Sequence, residues 1–295
     1  MTTHLIGVPL NYGCGKTSIS HGPQLIRELG FPNLWQNKPL IDHGDIAVDE
    51  LLDEDVIDNK LNFIKPIIKT NSELASLVSK IFEKDEYVLT LGGDHSISIG
   101  SLAGVLADGK STAVIWIDAH TDINTVNTTP SGNIHGMPMA LAMGIGREDF
   151  ANVYEHNHLV DPKNLYFVGP RDVDEGEITL LEEKSIDCYS SEDVHKLSIE
   201  KVAKNIIQSI LANPVDKVHI SLDIDCLDPQ YAPGVSTPVP DGITEESLMF
   251  LLKAIFENLP VKSMDIVEFH PDADDANITL KQMQRILKVV SENWR

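Results

Sequence analysis

Six short stretches of this chain are predominantly apolar at consecutive rather than alternate positions: His4–Val8, Tyr87–Leu91, Ala113–Ile117, Leu165–Val168, Val218–Ile224 and Met264–Val267. A strand wet on one face alternates. A continuous apolar run belongs to a strand buried on both faces, the condition of a parallel sheet covered by helices. The stretches between carry the other period. Leu280, Met283, Leu287, Val290 and Trp294 recur at spacings of three and four, as do Leu248, Leu251, Ile255 and Leu259, and each set makes one apolar stripe. Asn71–Lys84 and Ser198–Leu211 repeat the pattern more weakly. The 295 residues, 42% hydrophobic, suffice for one large core. No linker, repeat or low-complexity tract interrupts the alternation. The pattern predicts an α/β fold: a single three-layer domain over 1–295, with a doubly wound, mainly parallel sheet of about eight strands and helices on both faces. The acidic stretch Asp49–Asp58 reads as a solvated loop or helix face.

The net charge of -22 repels phosphate backbones and anionic membrane surfaces, so nucleic acid and membrane are not expected partners, while a cationic substrate is attracted. Cys14, Cys188 and Cys226 are odd in number and far apart, with no CxxC pair. That argues against a disulfide framework or a cysteine-rich zinc site and suits a reducing compartment. The N-terminus has no basic segment followed by an apolar one, and no run approaches the roughly 18 apolar residues of a membrane span. A cytoplasmic location is expected.

Ligands of open α/β sheets gather outside the carboxyl ends of the strands. Tyr87–Leu91 is followed by Gly92-Gly93-Asp94-His95, and Ala113–Ile117 by Asp118-Ala119-His120-Thr121-Asp122. Asp223-Ile224-Asp225 closes the run at Val218–Ile224. Side chains at i and i+2 of an extended chain share a face. Asp118 and His120 therefore face together, Asp122 follows if the chain stays extended, and Asp223 and Asp225 form a second pair. Carboxylates crowded in a buried crevice repel one another unless cations neutralise them. The aspartates Asp118, Asp122, Asp223 and Asp225, with neutral His95 and His120, balance a pair of divalent ions. Oxygen-rich donors with some imidazole and no thiolate suit manganese. Bridging carboxylates would set the ions about 3.5–4 Å apart, as in two-metal hydrolases. One Asp-x-His, one Gly-Gly turn or one Asp-x-Asp says little; three such ends on one sheet point to metal.

The segments LGGDHSISIGS (91–101), WIDAHTDINT (116–125), SGNIHGMP (131–138), SLDIDCLDP (221–229) and MDIVEFHP (264–271) resemble the signature segments of the ureohydrolase family. SGNIHG and RDVDEGE (171–177) resemble arginases in particular, and GVPLNYGCG with GPQLIRELG resembles the family's N-terminal segment. The likeness runs from about residue 4 to about residue 290, with the motifs in order. It implies a hydrolase with two Mn2+ per subunit that cuts L-arginine to L-ornithine and urea, by attack of a metal-held hydroxide on the guanidinium carbon. His95, Asp118, Asp122 and Asp223 would hold one ion. Asp118, His120, Asp223 and Asp225 would hold the other, Asp118 and Asp223 bridging. The catalytic residues it implies are Asp122, which passes a proton to the leaving amine, His135, a proton shuttle, and Glu268, which holds the guanidinium. Asn124, Ser131 and Asn133 would bind the substrate α-carboxylate, Asp174 with Glu177 assisting the α-amino group, and Thr237 would line the site. Members usually form trimers, or hexamers of two trimers.

The same segments fit sister activities, an agmatinase, guanidinobutyrase or formimidoylglutamase, which share the metal chemistry and differ in the loops. A deacetylase of related fold would use one zinc and fewer carboxylates, so metal count separates it. Cys226 follows a ligand directly but points the other way on its strand, and Asp94 and His219 are candidates for outer contacts to the ligands. Phe269-His270-Pro271 departs from the family, where an Asn often precedes that proline. Ala232-Pro233-Gly234-Val235-Ser236 looks nearer to bacterial members. The chain stops soon after its last helical stripe, without the tail that helps some relatives assemble.

Overall fold

A computed structural model describes residues 2–14, 21–31, 35, 39–50, 57–58 and 60–294. Its centre is a sheet of eight strands: β1 (Thr3–Val8), β2 (Leu40–Asp45), β3 (Tyr87–Gly92), β4 (Thr112–Ile117), β5 (Leu165–Val168), β6 (Asp187–Tyr189), β7 (Lys217–Asp223) and β8 (Val261–Val267). They lie in the order β2-β1-β3-β8-β7-β4-β5-β6, every pair parallel. The six apolar runs are β1, β3, β4, β5, β7 and β8, within a few residues at each end. Alternate residues of one strand enter opposite cores. Ala113, Ile115 and Ile117 of β4 pack in one apolar cluster, and Val114 and Trp116 in another. Both faces are therefore covered, which is why the strands read as continuous rather than alternating.

On one face lie α7 (Ile199–Ala212), α8 (Glu245–Asn258) and α9 (Ile278–Asn293), whose buried Val202, Ile206, Leu251, Ile255, Met283 and Leu287 share a cluster with β4 and β7. On the other lie α2 (Ile64–Phe82) and α3 (Ser98–Leu106). The structure starts α2 well before the predicted Asn71, because Pro66 falls in the first turn, where its missing N–H costs nothing. The two strands that the apolar pattern does not identify, β2 and β6, are the edges of the sheet. Leu40–Asp45 is largely exposed and Asp187–Tyr189 partly so, and wet strands need no apolar run. The acidic stretch Asp49–Asp58 falls mostly outside the described residues. Among the described residues, no helix is long and apolar enough to cross a membrane.

The winding places the chemistry. β3, β8, β7 and β4 are neighbours, although β4 follows β3 in the chain and the other two are inserted between them later. Their carboxyl ends form the crevice where the strand order reverses. The turn after β3 is tied on both sides: Gly93 N donates to Val8 O at 2.7 Å, and Glu268 N donates to Gly93 O at 2.7 Å. A Cβ on Gly93 would stand 1.7 Å from the Leu10 carbonyl oxygen. Gly93→Ala is therefore expected to cost about 1–3 kcal/mol through overpacking against backbone. A urea denaturation midpoint unchanged from the parent would contradict that.

Candidate metal centre

The candidate ligands sit at the strand ends and in the turns after them: Asp223 closes β7, and the others follow their strands. In three places an aspartate at or just past a strand end accepts the amide two residues on. Asp94 takes Ser96 N at 2.9 Å, Asp118 takes His120 N at 2.7 Å, and Asp223 takes Asp225 N at 2.7 Å. Such a side-chain-to-backbone bond reverses the chain tightly. Strand alternation is therefore not what aligns Asp118 with His120 or Asp223 with Asp225; the turn is. Asp122 is not reached by an extended chain either. It has φ +51°, a left-handed conformation that a non-glycine residue holds only when its surroundings impose it.

Two clusters result. His95 Nδ1 lies 3.0 Å from Asp118 Oδ2, 3.0 Å from Asp122 Oδ2 and 3.2 Å from Asp223 Oδ2. His120 Nδ1 lies 3.3 Å from Asp118 Oδ1 and 3.2 Å from Asp225 Oδ2. Asp118 thus turns one oxygen to each cluster. The supports are fixed as well. Trp116 Nε1 donates to Asp118 Oδ2 at 2.9 Å, and its ring stacks on His95 at 4.1 Å. Ala119 N and Thr237 Oγ1 donate to the two oxygens of Asp225, at 3.1 and 3.0 Å. Cys226 packs into the apolar core, away from both clusters.

The charges demand a cation. Asp118, Asp122, Asp223 and Asp225 are all buried, and none is more than 6% exposed. Among the described residues, only histidines ion-pair with them. Burial first, then repulsion from Asp225 and Asp118, pushes the Asp223 carboxyl well above its ordinary range. Burial and Asp118 push Asp122 up to about 6. His95 Nδ1 is buried and has no hydrogen-bond partner, although three carboxylate oxygens surround it. A lone ring nitrogen facing three anionic oxygens is a donor set for a metal ion, so the residues fit the metals implied by the sequence.

A cavity opens beside the clusters. Its lining includes His120, Asp122, Asp223 and His135, together with Asn124, Ser131, Asn133, Asp174, Glu177 and Thr237. The segment 131–135 after β4 and the segment 171–177 after β5 thus line one cavity with residues of the clusters. Glu268 lies behind them, at the end of β8, 1% exposed and with φ +64°. Its Oε1 accepts His95 N at 2.9 Å and stands 3.2 Å from His135 Nδ1; its Oε2 has no hydrogen-bond partner. Burial works against a charged His135 ring, but the Glu268 contact outweighs it and raises His135 to about 9. His270, the departure from the family pattern, stands 2.6 Å from Ser236 Oγ and 3.6 Å from Glu268 Oε2.

Some contacts differ from those the sequence suggests. Asn124 Nδ2 donates to Asp174 Oδ2 at 2.8 Å. Glu177 accepts Thr121 Oγ1, Ile123 N and Asp174 N, so both its oxygens are occupied by the protein and it anchors the Asp122 loop to helix α5 (Glu175–Lys184). Two further residues were missed. Asp172 lines the cavity, 3.9 Å from His120 Nε2, and the Asp-x-Asp spacing with Asp174 was the signal for it. Arg171 donates to the carbonyls of Asp225, Cys226, Leu227, Val239 and Pro240, clamping the turn that carries Asp225 to its neighbours. Nothing local in the sequence signals a cation spent on carbonyls.

The chain matches the model of the Arginase family over residues 1–290. It is 36% identical to the arginase of Bacillus subtilis (strain 168), over 95% of this chain and 94% of that one. The structure of the arginase from Bacillus caldovelox superposes with a TM-score of 0.91 at 35% identity, covering 99% of this chain and 97% of the other. The arginase of Entamoeba histolytica in complex with L-ornithine superposes with a TM-score of 0.88 at 31% identity, over 99% and 98% of the two chains.

Proposed function

The chain belongs to the arginase family of hydrolases, and on that premise we propose that it cleaves L-arginine to L-ornithine and urea at a two-manganese centre. The observation that carries this reading is the donor set: an unpartnered, buried His95 Nδ1 among three carboxylate oxygens, a second imidazole among two, and Asp118 facing both. When bound there, divalent ions supply Lewis acidity and a nucleophile usable near neutral pH.

The chain's own residues supply the rest. Glu268 Oε2, buried and without a hydrogen-bond partner, is a fixed negative charge for the guanidinium, which brings paired N–H donors. Its other oxygen is already immobilised by the His95 amide. Hydrolysis leaves the oxygen of water on carbon as urea and breaks the bond to the side-chain nitrogen, which must leave as an amine. Asp122, on the cavity wall, passes a proton to that nitrogen, and His135, on the same wall and partly exposed, exchanges a proton with solvent. Ser131 and Asn133 meet the α-carboxylate. Asn124 joins them with the amide hydrogen not committed to Asp174. Asp174 meets the α-ammonium, while Glu177 holds Asp174 in place.

Urea release from L-arginine by the manganese-loaded protein tests the reading; formamide release from formimidoylglutamate, with none of urea, would replace it with a sister activity. His135→Asn is expected to keep fold and manganese uptake while losing about 10²–10⁴-fold in turnover, the range for a positioned acid or base. Unchanged turnover in that variant would show His135 to be a bystander.

A further inference from the structure

Beneath the first cluster a second layer of polar side chains is sealed inside the sheet. Ser98, Ser101, His219, Ser221 and Asp265 are each at most 1% exposed. Ser98 and Ser101 stand on the first turns of α3, Ser221 and His219 on β7, and Asp265 on β8. Asp265 Oδ2 accepts Ser98 Oγ at 2.9 Å and also accepts Ser101 Oγ. Ser98 Oγ lies 3.3 Å from Ser221 Oγ, and Ser221 Oγ lies 2.8 Å from His95 Nε2. His219 Nε2 is 3.5 Å from the same Asp265 oxygen, and its Nδ1 pairs with Ser263 Oγ at 2.8 Å.

The direction of every proton along this line is set from its far end. A carboxylate only accepts, and a serine has a single proton to give. Burial pushes the Asp265 carboxyl up, but His219 and the serines outweigh it and hold it below its ordinary range. Ser98 therefore spends its proton on Asp265 and can only accept from Ser221. Ser221 spends its proton on Ser98 and can only accept from His95 Nε2. His95 must then carry its proton on Nε2 and turn a bare Nδ1 lone pair toward Asp118, Asp122 and Asp223. Without the acceptor at the end, the line can run the other way. Ser221 would then donate to Nε2, and the ring proton would sit on Nδ1, where the cation belongs.

We propose that Asp265 is a positioning residue for the metal centre: through Ser98 and Ser221 it fixes the His95 tautomer that can ligate. The proposal rests on reading His95 as a metal ligand. Outer partners of ligating histidines hold the ring and its tautomer, and their loss weakens metal binding by about 10–100-fold. Ser101 provides the control, because it touches the same Asp265 oxygen but lies off the path to His95.

The test is Mn2+ titration of the metal-stripped full chain, followed by calorimetry and by the electron paramagnetic resonance of free Mn2+. In Ser98→Ala, one of two binding steps is expected to weaken by about 10–100-fold while the other is retained. Asp265→Asn, whose amide can donate to Ser98 and reverse the line, is expected to show the same single-step loss. The double variant should be no worse than Ser98→Ala alone, because both cut one path. Ser101→Ala should bind as the parent does. Unaltered steps in both Ser98→Ala and Asp265→Asn, or a loss in Ser101→Ala equal to that in Ser98→Ala, would overturn the proposal. So would equal weakening of both steps, which marks a general packing defect. A parent chain that takes up no Mn2+ would overturn the ligand reading beneath it as well.

Discussion

Asp118→Ala is expected to take up neither manganese ion at concentrations that saturate the parent, and to lose activity on the order of 10⁴-fold or more, the scale of removing one member of a catalytic unit. The reason is geometric. Asp118 presents Oδ2 to the cluster at His95 and Oδ1 to the cluster at His120, so one substitution withdraws a donor and a negative charge from each. It also strips the acceptor from Trp116 Nε1, whose ring supports His95, leaving a buried donor unpaired at about 1–3 kcal/mol. Asp118→Asn separates the two effects, since its amide oxygen can still accept from Trp116 while the charge is gone. Asp225 belongs to the second cluster alone, and Asp225→Ala should weaken mainly one ion. Elemental analysis of each purified variant measures this directly. One tightly held zinc per chain in fully active parent protein would sink the two-manganese reading.

The clustered aspartates and histidines were legible because each lies within a few residues of an apolar run, so the motif and the strand that carries it sit in one short window. The reason they face together was not legible. Alternation along a strand gives the right neighbours for Asp118 and His120, yet the structure achieves it with aspartates that accept the amide two residues on. The same shared facing follows from two different backbones, and an i, i+2 pattern alone does not separate them. Contacts between distant segments left no local trace. Arg171 reaches Asp225 O, Trp116 stacks on His95, and Ser98 bonds Asp265, each pair joined only by the order in which the strands are wound. The edge strands β2 and β6 were lost for the opposite reason: water supplies what a core would, and the residues there carry no period. The departure His270 was visible at once in the sequence, but its pairing with Ser236 needed the loop after β7 to be placed beside β8.

The preference for L-arginine over agmatine is expected to be large, up to about 10⁴-fold in kcat/KM, because a site arranged around polar partners penalises an analogue that leaves them unpaired. The two molecules share the guanidinium and differ at the far end, where agmatine lacks the α-carboxylate. Ser131, Asn133, Asn124 and Asp174 all line the cavity, and the last two are already bonded to each other at 2.8 Å. That bond matters: it holds Asp174 Oδ2 in place before substrate arrives, so less ordering is left for binding to provide. Asp174 also has its amide on Glu177, whose other oxygen grips the Asp122 loop, so the amino-acid end and the metal end are braced through one side chain. Asp174→Asn keeps the size of the side chain and removes its charge. It is expected to raise KM strongly for arginine, and for agmatine as well, since agmatine keeps the ammonium, and to leave manganese content unaltered. D-Arginine, which presents the ammonium and carboxylate in exchanged positions, should be as poor a substrate as agmatine. Steady-state kcat/KM for the three compounds on one manganese-loaded preparation decides it. Equal values for arginine and agmatine, or a preference for agmatine, would mean that loops 131–135 and 171–177 do not recognise the amino-acid end and that the chain carries a sister activity of the family.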